Sequence, residues 1–146
     1  TESEPVSMSR ETTFERDLHA VRDKAELGAI FTDLCERVAD DLQHKGYVGR
    51  TVGIKLRYDD FRIATRDQTL NLPIQDAAAI RRAAGQCLKR VPLGKRIRLL
   101  GVKVSGLIAE QLWQASAHDP AARELLLRPG GLTSVKHLDP YTASLF

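Results

Sequence analysis

The chain has 146 residues, 42% of them hydrophobic and 28% charged, with a formal net charge of +3. That is material for one modest domain with an appendage, and it excludes paired enzyme domains, a disordered polymer and a fibrous protein. No apolar run approaches the ~20 residues of a membrane span, and the acidic opening at residues 1–5 is unlike a secretory leader.

The chain opens on Thr1, and its single methionine, Met8, lies inside a patterned region. The sequence is therefore expected to be a piece of a longer polypeptide, with any catalysis lying elsewhere. Charge is unevenly spread. Residues 1–49 carry 6 Lys and Arg against 11 Asp and Glu, residues 50–107 carry 13 against 4, and residues 108–146 carry 3 against 4. A basic middle flanked by acidic ends is a footprint for a polyanion.

Residues 7–18 are rich in Ser, Thr and Arg, and read as an exposed or edge strand ending in a turn. Asp23 with Glu26 three residues on has the form of a capping box. Leu27, Ile30, Phe31, Leu34, Val38 and Leu42 then recur at three- and four-residue steps, which predicts an amphipathic helix stopped at Gly46.

Residues 51–58 alternate strictly, with Val52, Ile54, Leu56 and Tyr58 on one face and Thr51, Gly53, Lys55 and Arg57 on the other. Asp59 and Asp60 mark a turn, and residues 61–70 return as a second strand of a hairpin, with Phe61 in phase with the core. Asn71, Leu72 and Pro73 break the pattern. A second helix is predicted over 74–91, with Ile80, Ala84, Cys87, Leu88 and Val91 inward, closed by Pro92 and Gly94. Residues 96–107 form a last strand. Keeping Arg96, Arg98 and Lys103 on one face requires a one-residue slip, expected as a bulge near Leu100 and Gly101.

The predicted fold is α+β in the order strand-helix-strand-strand-helix-strand. It is a mostly antiparallel four-stranded sheet with two helices on one face and the other face open. Onto the open face Lys55, Arg57, Arg62, Arg66, Arg98 and Lys103 are expected to project, among small residues such as Gly53 and Ala64. Aromatics make up 5% of the chain, too few for a base-stacking platform, so cations and hydroxyls point instead to the phosphates of double-stranded DNA. Cys35 and Cys87 read as buried reduced thiols. His19, His44, His118 and His137 lack companions at metal-ligand spacing.

Three stretches carry a family resemblance: Ser7-Met8-Ser9-Arg10-Glu11-Thr12-Thr13-Phe14, the hairpin at residues 52–66, and residues 96–107 with Arg98-Leu99-Leu100-Gly101-Val102-Lys103-Val104-Ser105. In order and spacing they resemble the little finger domain of Y-family DNA polymerases of the bacterial DinB, or DNA polymerase IV, branch. Val6 and Ser9 depart from the lysine and glycine usual there. The resemblance implies a non-catalytic DNA-gripping domain over 1–107 and an extension over 108–146. The parent would be an error-prone, cytoplasmic translesion DNA polymerase of DNA repair and the SOS response to damage. Its Mg2+ and nucleotidyltransferase site would lie in a palm domain, and this segment would hold no cofactor.

By position, Ser7, Ser9, Arg10, Thr12, Arg62, Thr65, Arg66, Arg98, Lys103 and Ser105 become phosphate-contact residues, beside Lys55 and Arg57 from the open face. Residues 108–117 and 120–127 read as short helices of a tail, the first with Leu112 and Trp113 inward. The last residues, Thr142, Ala143, Ser144, Leu145 and Phe146, partly resemble a sliding-clamp peptide, with Ser144, Leu145 and Phe146 as its anchors. The alternative is a stand-alone nucleic-acid-binding α+β module. A small enzyme lacks support, because no nucleophile set, phosphate loop or ligand cluster is present.

Overall fold

A computed structural model describes residues 7–128. The elements are β1 (Ser7–Leu18), α1 (Lys24–Lys45), β2 (Tyr47–Tyr58), β3 (Ile63–Ile74), α2 (Ala77–Leu88), β4 (Ile97–Ala109), α3 (Glu110–Ala115) and α4 (Pro120–Leu127). The four strands form one sheet in the order β1-β4-β2-β3, with every neighbouring pair antiparallel. Chain order and sheet order thus interleave: α1 links β1 to β2 across β4, and α2 links β3 to β4 across β2.

Alternation along the two central strands builds the core. Val52, Ile54 and Leu56 of β2 and Leu100, Val102 and Val104 of β4 are at most 3% exposed. They meet Phe31, Leu34, Val38 and Leu42 of α1 and Ile80, Ala84 and Cys87 of α2. Each of the valines, leucines, isoleucines and Phe31 among them, taken fully from water, stabilises the fold by ~1.5–3 kcal/mol. Both cysteines are buried free thiols, and burial pushes Cys35 up to about 12.

The helix ends depart from the sequence expectations in instructive ways. Asp23 stands at the start of α1 but makes no side-chain cap bond. Its carboxylate instead accepts from the His19 backbone N–H at 2.8 Å and from Arg16 at 3.3 Å, bracing the turn that precedes the helix. Gly46 closes α1 at φ 78°, the left-handed stop the sequence implied. α2 is shorter than the predicted 74–91, because β3 runs on through Asn71, Leu72 and Pro73 to Ile74. Pro73 is tolerated because β3 is an edge strand, where a missing N–H costs no sheet bond. The true cap of α2 is Asp76, which accepts from Ala79 N–H at 3.0 Å.

The slip in β4 exists, but not near Leu100 and Gly101. There the ladder is unbroken, with Ile54, Lys55 and Leu56 opposite Val102, Gly101 and Leu100. The interruption falls at Arg98: Arg57 pairs with Leu99, while the next residue, Tyr58, pairs with Ile97. Moving the slip there seats Ile97 in the core and leaves Leu99 in line with Gly101 and Lys103.

A second change of phase occurs at the other end of the sheet. Gly106 adopts φ +64°, and beyond it Leu107 joins the main core while Ile108 does not. Val48, between Tyr47 and Gly49, likewise points away from α1 and α2. Val48 and Ile108 form a second cluster with Ala109, Leu112 and Leu126, so α3 and α4 pack on the opposite side of the sheet end. Leu112 is buried as expected, and Trp113 is half-buried against Arg123, 3.7 Å from its ring centre. Arg50 fastens α4 by donating to the Leu70 and Leu127 carbonyls at 3.0 and 2.5 Å.

Candidate nucleic-acid interface

Register fixes which residues share the face that α1 and α2 leave uncovered. Antiparallel partners point the same way, so the side chains fall into rows running across the four strands. The rows, from β1 to β4 to β2 to β3, are Ser7–Ser105–Thr51–Thr69, Ser9–Lys103–Gly53–Asp67, Glu11–Gly101–Lys55–Thr65 and Thr13–Leu99–Arg57–Ile63. The intervening rows, such as Arg10–Val102–Ile54–Arg66, face the helices.

The expected site residues divide accordingly. Ser7, Ser9, Lys55, Arg57, Thr65, Lys103 and Ser105 come together on the open face. Arg10 and Thr12 do not. They share the phase of Met8, and Arg10 reaches Asp41 of α1 through two bonds of 2.8 and 2.9 Å. Those bonds hold the Asp41 carboxyl below its ordinary value, with burial opposing the shift. Arg66 is also displaced: it stands opposite core Ile54 and donates to the Thr65 carbonyl at 2.7 Å. Ala64, opposite Leu56, packs on the core instead of floring the open face. Arg62 lies at the hairpin tip, its side chain 79% exposed and 3.8 Å from Asp60. Arg98 sits at the slip of β4, 3.9 Å from Asp17 and with its guanidinium 4.5 Å from the Phe61 ring centre. Ser144, Leu145 and Phe146 lie outside the described residues.

The open face is less purely cationic than the sequence suggested, since register brings Glu11 and Asp67 onto it. Glu11 lies 3.6 Å from Lys55, a half-exposed pair that water screens. Lys103 is exposed and has no ion-pair partner among the described residues. Arg57 Nε is buried there with no hydrogen-bond partner among the described residues. The face dips into a depression of about 430 Å³ whose lining includes Lys55 and Lys103, the acids Glu11 and Asp67, the hydroxyls of Ser9, Thr51, Thr65 and Ser105, and parts of Arg10 and Arg66. Gly53 and Gly101 keep its floor low, because a Cβ on either would come within 3.1 Å of Asp67 or Glu11. Sequence reading passed over Thr69 and Gly101 as site residues, although their two-residue spacing from Asp67 and Lys103 was the available signal. Hydroxyls, a bare backbone and unpaired cations offer donors to phosphate oxygens, and nothing in the rows matches the edge of a particular base.

Asp60 at the hairpin turn is otherwise engaged. Asp60 accepts from Lys95 at 2.5 Å and from the Arg62 backbone N–H at 3.0 Å, which holds its carboxyl low. Among the described residues no group of three or more His, Cys, Asp or Glu could hold a metal ion, and no helix is long and apolar enough to cross a membrane.

The fold is an open antiparallel α+β sheet, with two helices behind it and a front lined by hydroxyls, cations and two acids. Residues 5–117 match the impB/mucB/samB family C-terminal domain, and the chain belongs to that family. It is 38% identical over 123 residues to a DNA polymerase IV of Streptomyces coelicolor, covering 82% of this chain and 25% of that protein. It is 41% identical over 106 residues to the DNA polymerase IV of Alkalilimnicola ehrlichii, covering 72% and 29%. The chain spans 22–30% of the length of the curated relatives it matches. Among solved structures, the little finger domain of PolIV, in complex with a beta-clamp processivity factor, superposes at TM-score 0.53 with 24% identity, covering 68% of this chain and 86% of that one. A DinB family error-prone DNA polymerase from Sulfolobus solfataricus does so at 0.52 with 12% identity, covering 68% and 29%. At those identities the structural likeness speaks for the fold alone.

Proposed function

We propose that the open face grips duplex DNA through its backbone phosphates, as the DNA-holding domain of a translesion DNA polymerase. The observation that carries this reading is the set of rows in which Ser and Thr hydroxyls flank Lys103, an exposed lysine without an ion-pair partner among the described residues. A polyanion supplies the charge the face lacks, and small residues let the backbone approach. In this reading nucleotidyl transfer and its Mg2+ belong to a palm domain, since Asp41 is committed to Arg10 and Asp60 to Lys95.

The test is duplex binding by the chain across a salt series. With ~5 phosphates neutralised, the log–log slope is about −4.5. Lys103→Ala should weaken binding equally on unrelated sequences, and strong preference for one sequence would refute the reading.

A sliding clamp is the proposed second partner, through Ser144, Leu145 and Phe146. The motive is the terminal pair of bulky apolar groups, together with the clamp complex formed by a little finger of the same fold. Deleting Leu145 and Phe146 should abolish clamp pull-down and spare DNA binding. Unchanged pull-down overturns it.

A further inference from the structure

The hairpin tip carries an anomaly that a phosphate grip does not use. Phe61 N–H bonds to the Tyr58 carbonyl and Tyr58 N–H to the Arg62 carbonyl, both at 2.9 Å, so β2 and β3 are joined by a tight turn whose last residue must be left-handed. Glycine or asparagine suits that position. Here it is held by phenylalanine at φ 69°, the sole non-glycine with positive φ among the described residues. The ring is not folded inward, as its phase in the sequence implied, but remains 62% exposed. The chain thus accepts backbone strain to hold a large apolar surface in water. Such a doubly unfavourable arrangement points to a ligand.

The neighbours indicate its chemistry. The Arg98 guanidinium lies 4.5 Å from the ring centre, placed there by the slip in β4. Beside it the row Leu99–Arg57–Ile63 brings a second arginine, whose buried Nε has no partner, against an isoleucine that is 50% exposed. An aromatic plane, a stacked guanidinium and a second arginine whose Nε lacks a hydrogen-bond partner among the described residues suit a flat, electron-rich ring joined to an anion. A nucleotide has both parts.

We propose that Phe61, with Arg98 and Arg57, forms a stacking subsite for one unpaired base of a single strand next to the duplex held by the rows. The site deepens the DNA-gripping reading and rests on it. The base extends the Phe61–Arg98 stack while Arg57 meets the adjoining phosphate. Contact is through the face of the base, so the subsite is indifferent to sequence.

The experiment compares a blunt duplex with the same duplex bearing a short single-stranded 5′ extension, its first unpaired base replaced by fluorescent 2-aminopurine. Wild type should bind the extended form more tightly and quench the probe. Phe61→Leu, which keeps the apolar volume, should lose about five- to tenfold in affinity for the extended form, leave the probe unquenched and keep blunt-duplex affinity unchanged. Phe61→Tyr should restore both readouts. Equal behaviour of wild type and Phe61→Leu on the extended duplex overturns the subsite while leaving the duplex grip standing. Failure of wild type to bind even the blunt duplex overturns both.

Discussion

Arg10 and Lys103 lie close together across the β1–β4 ladder, but register sends them to opposite faces. Their substitutions should separate accordingly. Arg10→Ala should lower stability and barely change DNA affinity, whereas Lys103→Ala should do the reverse; thermal melts and a binding isotherm on each variant decide it. The Arg10–Asp41 pair also has a pH signature. Because Arg10 depresses the Asp41 carboxyl in the folded state, the pair's contribution is complete above the ordinary carboxylate range and is lost as pH falls through the depressed native value. Asp41→Asn should therefore be less stable than wild type at neutral pH, and the difference should vanish in acid. At Phe61, glycine would relieve a left-handed cost of ~1–2 kcal/mol while adding ~0.5–1 kcal/mol of unfolded-chain freedom. Phe61→Gly should thus match or slightly exceed wild type in urea denaturation; a large loss would mean that the ring is a packing element.

At the scale of elements, the caps make a contrast. Asp76→Ala removes a real cap and should cost about 1 kcal/mol, with faster amide exchange in the first turn of α2. The capping-box pattern at Asp23 and Glu26 was present in the sequence, but Arg16 competes for both carboxylates from β1. Legibility followed apolar content throughout. α1, β2 and β4 were readable because their apolar residues fix a phase. β1 and β3 were readable as strands, but not the face each residue takes, because in each the phase rests on few apolar residues, such as Met8 and Phe14 in β1. Arg10 and Thr12 follow Met8 in steps of two, a parity that would have placed them toward the helices. In β3 even that cue fails, and only pairing with Ile54 settles Arg66. The slip in β4 was inferable as a necessity, but its position depended on Leu99, a bulky residue that the open face accepts at 7% exposure.

For the whole molecule, the uneven charge of the sequence survives folding only in part, since acidic residues from β1 and β3 reach the basic face. The grip is correspondingly modest, and replacing Glu11 by Gln should strengthen duplex binding by freeing Lys55, most visibly at low salt. Strand order carries a last consequence. Of the four described strands β1 is made first, but its only sheet neighbour among the described residues is β4, about ninety residues later. β4 also separates β1 from β2, so no early hairpin can shelter the first strand. During synthesis β1 must wait, unpaired, until β4 emerges, and nascent chains cut short before β4 are the ones that chaperones and proteases should meet most often.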